Sequence, residues 1–587
     1  MQDQAPSGHF RDERGFGLLM TLLLVMLVAT IAGASARVAS TEMEVVGNYR
    51  GLSRAFYSAD GAAQAAVDSM VTIGRGLGRF PTDGELSSIA APTVTGTSFT
   101  THTVLHDGVQ VIEPLQSGYY QGLNAYTMPF SIDVTAETTD WPLGRSSVGM
   151  GVLFDIIPIF QFAIFYHYDL EILPGPTMLL NGRVHSNHDI YLNTGNTLTI
   201  DSSLTTAGDV YHRRKDKSAS QGNVEVRESS GVFASMNGLD SDDADWYEDA
   251  LDRWNGNVRS AVHGIEPLNL TIADPTDPRS MIEKPLSADT TEMQASKMSH
   301  QADLTILNGI AVDGLGIPIS TTDPITGDDA VRATVLFDPR EQRDMLTIEV
   351  DMEKLGRSPA WPANGLIYVA SDEPADLMPA WTSGCAGCWG PADWDGYAEP
   401  WTSTSTGFAV KVTNGSDLTA PLTVASDNPL YVRGDYNTVN KVGAALMADA
   451  ITVLSNNWGR VGQPTADPDD DLAYSALSMS SRVAGNTQLN AAVMLGNTET
   501  QWGSYNGGVE NVLRFVEKWS GKTLVYRGSI IDLWYAEQAI GAWKYGSPVY
   551  QAPGRDWAFD TDFLDVANLP PFTPHVYTVR VSDWRRE

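Results

Sequence analysis

Cys385 and Cys388 are the only cysteines in 587 residues, and they form a Cys-x-x-Cys pair inside WTSGCAGCWGPADWDGYAEPW (381–401). That spacing serves three chemistries: half of a zinc site, a redox dithiol, or a local disulfide. Zinc needs two further ligands from elsewhere, and a redox pair needs a thioredoxin-like βαβ context that this stretch lacks. In an oxidising compartment two such thiols pair with each other. The expected Cys385–Cys388 disulfide pins a loop carrying Trp381, Trp389, Trp394, Tyr397 and Trp401. Those rings are either a contact surface for glycan, protein or a neighbouring subunit, or the loop's own small core.

A second cluster with metal-binding types is His185, His188 and His212, with Asp189 and Asp209 nearby. A His-x-x-His pair holds a metal when both rings face one way. On a strand a three-residue step turns them to opposite faces, so polar turn residues are the plainer expectation and no metal site is assigned. The acidic runs at Asp240–Asp245 and Asp467–Asp471 have calcium chemistry but lack the Gly and distal Glu of an EF-hand loop. Solvated loops are the simpler reading, with bound calcium as the alternative, and no other cofactor is expected. Gly521-Lys522-Thr523 lacks the first Gly of a phosphate loop, since Val516 stands there. Arg433-Gly434-Asp435 spells an adhesion tripeptide at a strand-to-turn junction in a chain rich in Gly and Asp, where chance suffices. No nucleophile elbow, ordered Ser-His-Asp set or paired-carboxylate motif is fixed, and enzymatic activity is not expected.

Lys and Arg total 38 against 72 Asp and Glu, a net charge of −34. Such a surface repels phosphate backbones, so nucleic acid is not an expected partner. The plain meaning of the charge is solubility outside the cytoplasm.

One element must place everything else. From Phe16 to Ala36 there are 21 residues without a charge, and no Pro appears between Arg14 and Pro81. At ~1.5 Å rise per residue that run spans the ~30 Å hydrocarbon core of a bilayer. It exceeds the ~7–15-residue apolar core of a signal peptide, although Ala34-Ser35-Ala36 would fit signal cleavage. Arg11 and Arg14 favour a cytoplasmic leader with everything after Arg37 exported. Val45, Tyr49, Leu52, Phe56, Ala59, Ala63, Val67 and Met70 then recur at helical steps. The pattern predicts one helix from Phe16 to about Thr72, its first half suited to lipid and its second amphipathic.

Arg14-Gly15-Phe16, the uncharged run, and EMEVVGNYRGLSRAFYSADGAAQAA (42–66) together resemble the N-terminus of type IV pilins, and more narrowly PilX-type minor pilins. The resemblance implies processing by a prepilin peptidase between Gly15 and Phe16, with methylation of Phe16. Major pilins carry Glu at the fifth mature position, where this chain has Met20, which points away from a bulk filament subunit. NPLYVRGDYNTVNK (428–441), ADAITVLSNNW (448–458) and YRGSIIDLWY (526–535) extend the resemblance to large PilX-like proteins. It implies a minor pilin that enters or primes a type IV pilus at its tip, with an adhesive role. Its partners would be other pilins, the peptidase and, before assembly, the inner membrane, which it would cross once before reaching the pilus and cell surface. The alternatives are a large tip pseudopilin of a type II secretion system and a membrane-anchored glycan-binding or glycan-cleaving protein.

The exported chain reads as α+β and mostly β. Short β-branched and aromatic runs are cut by Asn, Gly and Asp turns in MLLNGRVHSNHDIYLNTGNTLTIDSSLTTAGDVY (178–211) and again through 365–535. Short strands in series suggest a β-solenoid with insertions; an antiparallel sandwich shares the composition. The expected divisions are a leader (1–15), an assembly helix (16–72), a β-rich pilin-like region (73–160), a β-rich region with a helical insertion near Ala244–Val262 (161–360), and a solenoid-like C-terminal region with the Cys loop (361–587). Further helix is expected at Val509–Trp519, and an irregular strap at Tyr550–Pro574.

Overall fold

The computed structural model describes residues 14–77, 79–217, 222–372, 406–459 and 471–586. Helix α1 runs unbroken over Arg14–Leu77, 64 residues, five beyond the expected end at Thr72. It lacks Pro throughout and is rich in Ala and Leu, the strongest helix formers. Its C-terminal half buries Ala55, Ala59, Ala62, Ala63, Ala66 and Met70, which lie on one face of the helix. These small side chains let a sheet approach the helix closely.

That sheet is antiparallel. Strands β1 (Thr97–His106), β2 (Val111–Pro114), β3 (Asn124–Thr138) and β4 (Arg145–Pro158) follow α1 in sequence. β3 pairs with β1, β2 and β4, and Phe130, Ile132 and Val134 alternate inward onto α1 beside Val148, Val152 and Phe154. The strand on the other side of β4 is the C-terminal one, His575–Arg586, with Tyr577 opposite Ile156. The last twelve described residues therefore belong to the same sheet as residues 97–158, rather than to a separate C-terminal region beginning at 361. Everything from Ile159 to Pro574 is inserted between two neighbouring strands.

The inserted body is mostly parallel. Ile164 pairs with Val184 and Val184 with Leu204; Leu170 pairs with Ile190 and Ile190 with Val210; Met178 pairs with Leu198. Each step is twenty residues. These partners bury inward into one core with Ile172, Leu192 and Ile200. A second parallel series joins Leu366–Ala370, Leu422–Ala425, Ala444–Ala448, Ala492–Asn497 and Ile530–Tyr535. The two series meet where Ile530 pairs with Ile164, giving an eleven-stranded sheet whose only antiparallel pair is Leu304–Leu307 with Ile310–Asp313. The chain is 37% strand and 22% helix, and α1 supplies most of the helix.

The expected helical insertion is present as Trp246–Trp254, with Trp246, Ala250 and Trp254 buried. The helix expected at Val509–Trp519 is not. There a 3-10 turn, Val509–Asn511, is followed by the short strand Arg514–Phe515, which pairs with Ile451–Leu454. Val512, Leu513, Phe515, Val516 and Trp519 are all buried, on more than one face, so pairing and two-sided burial override helix propensity. The expected strap contains a regular strand, Gly554–Phe559, parallel to Thr523–Gly528.

The β3–β4 hairpin is seated on α1 by glycines. A Cβ on Gly51 would stand 2.5 Å from Leu143 O, and one on Gly144 would stand 2.1 Å from the Gly51 carbonyl carbon. Both clashes are against backbone, which cannot rotate away. Gly144→Ala should lift the hairpin and destabilise the helix–sheet unit by about 1–3 kcal/mol. The measurement is hydrogen exchange over residues 130–154, where protection should fall; unchanged protection would mean the hairpin is not held this way.

Candidate functional site

The first half of α1 presents apolar side chains all round. Phe16 is 67% exposed, Leu18 73%, Leu23 54% and Leu27 58%, and no residue of the most apolar window is buried. Among the described residues this is the one helix long and apolar enough to cross a membrane. Its polar groups are satisfied within the helix. Thr21 donates its hydroxyl to Gly17 O at 3.0 Å, and Thr30 donates to Leu27 O at 3.0 Å. Such back-bonding is what a hydroxyl needs where water is absent. Gly15 and Phe16 stand in the first turn, and Met20, one turn on, offers no carboxylate.

The exposed apolar surface continues past the span. Val45, Val46, Tyr49 and Leu52 are exposed on α1, as are Trp141 and Leu143 on the hairpin that crosses it at Gly47 and Gly51. Above this neck the helix becomes fixed. Arg54 donates to Thr95 O at 2.5 Å, Trp584 Nε1 donates to Asp60 at 3.2 Å, and the Arg586 guanidinium lies 4.4 Å from the Phe56 ring centre. The C-terminal strand thus grips the helix directly.

Cys385, Cys388, Trp381, Trp389, Trp394, Tyr397 and Trp401 lie outside the described residues, as do Asp467–Asp470. The histidine cluster is taken up by the array of short strands. His185 is fully buried, its Nδ1 bonded to Thr205 Oγ1 at 2.9 Å and its Nε2 to Asn187 Oδ1 at 3.1 Å. Asp189 and Asp209 join successive strands. Asp189 N donates to Asp169 Oδ1 at 3.1 Å, and Asp209 N donates to Asp189 Oδ1 at 2.9 Å. In the run at Asp240–Asp245, Asp240 accepts from Asp242 N and His212 N, and Asp243 accepts from Asp240 N. Among the described residues no group of His, Cys, Asp and Glu has the arrangement of a metal site.

Arg433-Gly434-Asp435 is also occupied internally. Asp435 accepts from Asn456 Nδ2 and Gln488 N at 2.8 Å each, Arg433 donates to Trp458 O, and Gly434 makes the turn with φ 77°. Gly521 makes a turn before a strand, as a phosphate loop would not. A group that composition alone does not reveal is Glu171, 7% exposed, under the segment carrying Glu510 and Tyr505. Burial pushes its carboxyl up to about 7, Thr500 and Lys215 opposing and Glu510 and Asp216 adding. Its Oε2 has no hydrogen-bond partner.

Burial pushes the His185 imidazole down to about 4, against a bond from Asn187 that favours the charged form. The unfolded chain, with an ordinary histidine, binds the proton first. His185 therefore contributes stability that is full above pH ~6.5 and is lost as pH falls towards 4, about 3 kcal/mol in all. Glu171 works in the opposite sense, its contribution being full below the ordinary carboxylate value and lost as pH rises to about 7. The difference in urea midpoint between the native chain and His185→Gln should therefore shrink as pH falls from 6.5 to 4. A difference independent of pH would mean that His185 takes up its proton at the same pH in the folded and unfolded chains.

Comparisons with protein-family models, curated proteins and solved structures find no match to this chain.

Proposed function

We propose that this protein is a minor pilin of the type IV pilus family, held in the inner membrane by α1 before assembly and packed into a pilus through the same helix afterwards. The observation that carries the reading is a single helix with two environments. Phe16–Ala36 is apolar and bare, and from Ala55 onward the same helix is the buried support of an antiparallel sheet. A plain anchor needs no rigid continuation into a packed domain. An assembly helix does, because its position fixes the body relative to its neighbours. Moving the bare half from lipid to a bundle of similar helices keeps its apolar surface away from water in both states.

On this reading other pilins and the prepilin peptidase are the partners, Gly15–Phe16 is the processing site, and Met20 marks a subunit outside the bulk filament. We also read the parallel array as a β-solenoid. Twenty-residue coils, inward small aliphatics and Asp or Ser/Thr side chains joining successive turns support that description. A body of this size suits a place at the pilus tip better than a repeating position, and an adhesive role fits an exported surface held there.

The test is the mass of the N-terminal peptide from a host with its own prepilin peptidase. The expected result is a methylated N-terminus at Phe16. A start at Arg37, or an uncleaved Met1, would sink the pilin reading and bring forward a released or merely anchored glycan-binding protein. Leu23→Arg places a charge at the centre of the apolar run at a cost of about 3 kcal/mol in lipid. It should remove the protein from the sheared pilus fraction; normal incorporation would count against assembly through α1.

A further inference from the structure

On the outer face of the sheet formed by Val331–Asp338, Arg343–Asp351, Thr406–Thr413 and Leu430–Arg433, a lysine is sealed from water. Lys411 is 0% exposed, in register with Glu349 on one side and Tyr431 on the other. Its ammonium contacts two carboxyl groups, Glu349 Oε2 and Asp471 Oδ2. Asp471 is 1% exposed and opens the short helix Asp471–Ser475, which packs over this face. The surroundings are dry and aromatic. Ala409, Tyr431, Leu454, Trp458, Tyr474 and Val516 form one apolar cluster, with the Trp458 and Tyr474 rings 5.0 Å apart.

The four polar partners are arranged unequally. Arg332 takes Glu349 Oε1 with Nε at 2.9 Å and Nη2 at 2.5 Å, which leaves Oε2 for the lysine. Trp458 Nε1 donates to Asp471 Oδ1 at 2.7 Å, which leaves Oδ2 and the carboxyl carbon facing the amine. Burial raises the Glu349 carboxyl, but Lys411 and Arg332 outweigh it and hold the group below its usual value. A simple buried ion pair needs one carboxylate per lysine. Here a second one stands beside the same nitrogen, with its own arginine to balance it.

We propose that Lys411 and Asp471 condense into an intramolecular amide, with Glu349 as the proton relay and Trp458 as the donor to the oxyanion. Glu349 Oε2 accepts a proton from the Lys411 ammonium. Glu349 passes that proton to Asp471 Oδ2, and the free amine attacks Cγ of the now neutral acid, forming the C–N bond while negative charge gathers on Oδ1, where the Trp458 N–H already points. Oδ2 departs as water, taking one proton returned by Glu349 and one from the attacking nitrogen. The products are a secondary amide and one water; no oxidant, reductant or nucleotide is consumed. Charge balances before and after, since Lys411 and Asp471 disappear together and Arg332 remains paired with Glu349.

Two physical effects drive the step. The groups are already in contact, so the encounter cost of a bimolecular condensation is absent. Keeping two ions out of water is unfavourable, and the amide removes both charges while the released water can leave. In bulk water neither effect operates, which is why free lysine and aspartate do not couple. The bond would tie the strand Thr406–Thr413 to the helix at Asp471, 60 residues apart.

The experiment is a tryptic digest of the full chain, fully denatured, read by tandem mass spectrometry. The expected result is no cleavage after Lys411 and a branched peptide joining 358–433 to 461–482, lighter than the sum of the two by one water, with fragmentation placing the branch at Asp471. Recovery of 461–482 as a linear peptide of full mass, with cleavage after Lys411, would overturn the proposal. Glu349→Gln keeps both reacting side chains and removes the relay, so its digest should be linear. A branched peptide from that variant would remove Glu349 from the chemistry. Should the variant fail to fold, the native digest still decides whether the amide exists.

Discussion

The pairing of Pro158 with His575 is the constraint on which the rest of the molecule depends. Two adjacent strands of one sheet, β4 and the C-terminal strand, are the exit and the return of the whole body. A chain that leaves at Ile159 must come back to the same point at Pro574. The array of short strands meets this demand by growing in two directions. It climbs away through Val184–Ser186 and Leu204–Thr206, crosses back over the outer face of the long sheet through Leu268–Ala302, and descends from the far end until Ile530–Tyr535 lies against Ile164–Tyr166. The first strand of the array and its last are neighbours, so the loop is closed by main-chain hydrogen bonds as well as by the sheet.

This closure explains where the buried acids stand. The seam between first and last strands carries Tyr166 opposite Asp532, whose carboxyl is raised well above the usual range by burial, and Glu171 lies close by under the segment of Glu510. Elsewhere the acids serve as acceptors for irregular backbone. Asp449 alone takes the amides of Glu537, Gln538 and Ala539, with Arg279 as its countercharge. A charge of −34 thus has two meanings in one molecule. Part is a solvated coat, and part is internal scaffolding that turns need wherever a short strand ends without a regular partner.

The same division governs how much of the structure could be read from the sequence. Helix α1 was legible because its cause is local: no proline, small residues on one face, an apolar run before it. The short strands were legible from their Asn, Gly and Asp punctuation, and the twenty-residue spacing is visible in YDLEI, HDIYL and GDVYH once it is sought. What joins distant segments was not. Nothing within Val509–Trp519 tells that Phe515 will pair with Val453, so an apparent helix became a turn and a strand. His185 has the composition of a ligand, but its environment is set by Thr205 and Asn187. Lys411, Glu349 and Asp471 are 62 and 60 residues apart along the chain and unremarkable in it; only the stacking of strands and a covering helix brings them together. The closure at His575 was hidden for the same reason, because β4 and the C-terminal strand share no local pattern.

Mechanical consequences follow from the topology. Load applied to α1 enters the antiparallel sheet through the packing of Ala55–Met70, the glycine-seated hairpin and the grip of Trp584 and Arg586 on the helix. Because both ends of the body join that sheet side by side, tension along α1 does not pass through the long array. Load applied to the outer part of the body takes a different route. It must cross the parallel strands one coil at a time, and many of those strands are only three to six residues long. Such short ladders yield easily in isolation, and the chain between Thr413 and Asp471 contributes several of them. At that point Lys411, Glu349 and Asp471 join the strand Thr406–Thr413 to its neighbour and to the covering helix across a dry interface. The N-terminal sheet resists force through a long, continuous register; the outer body must resist it through points of concentrated attachment, and the fully buried Lys411 is one of these.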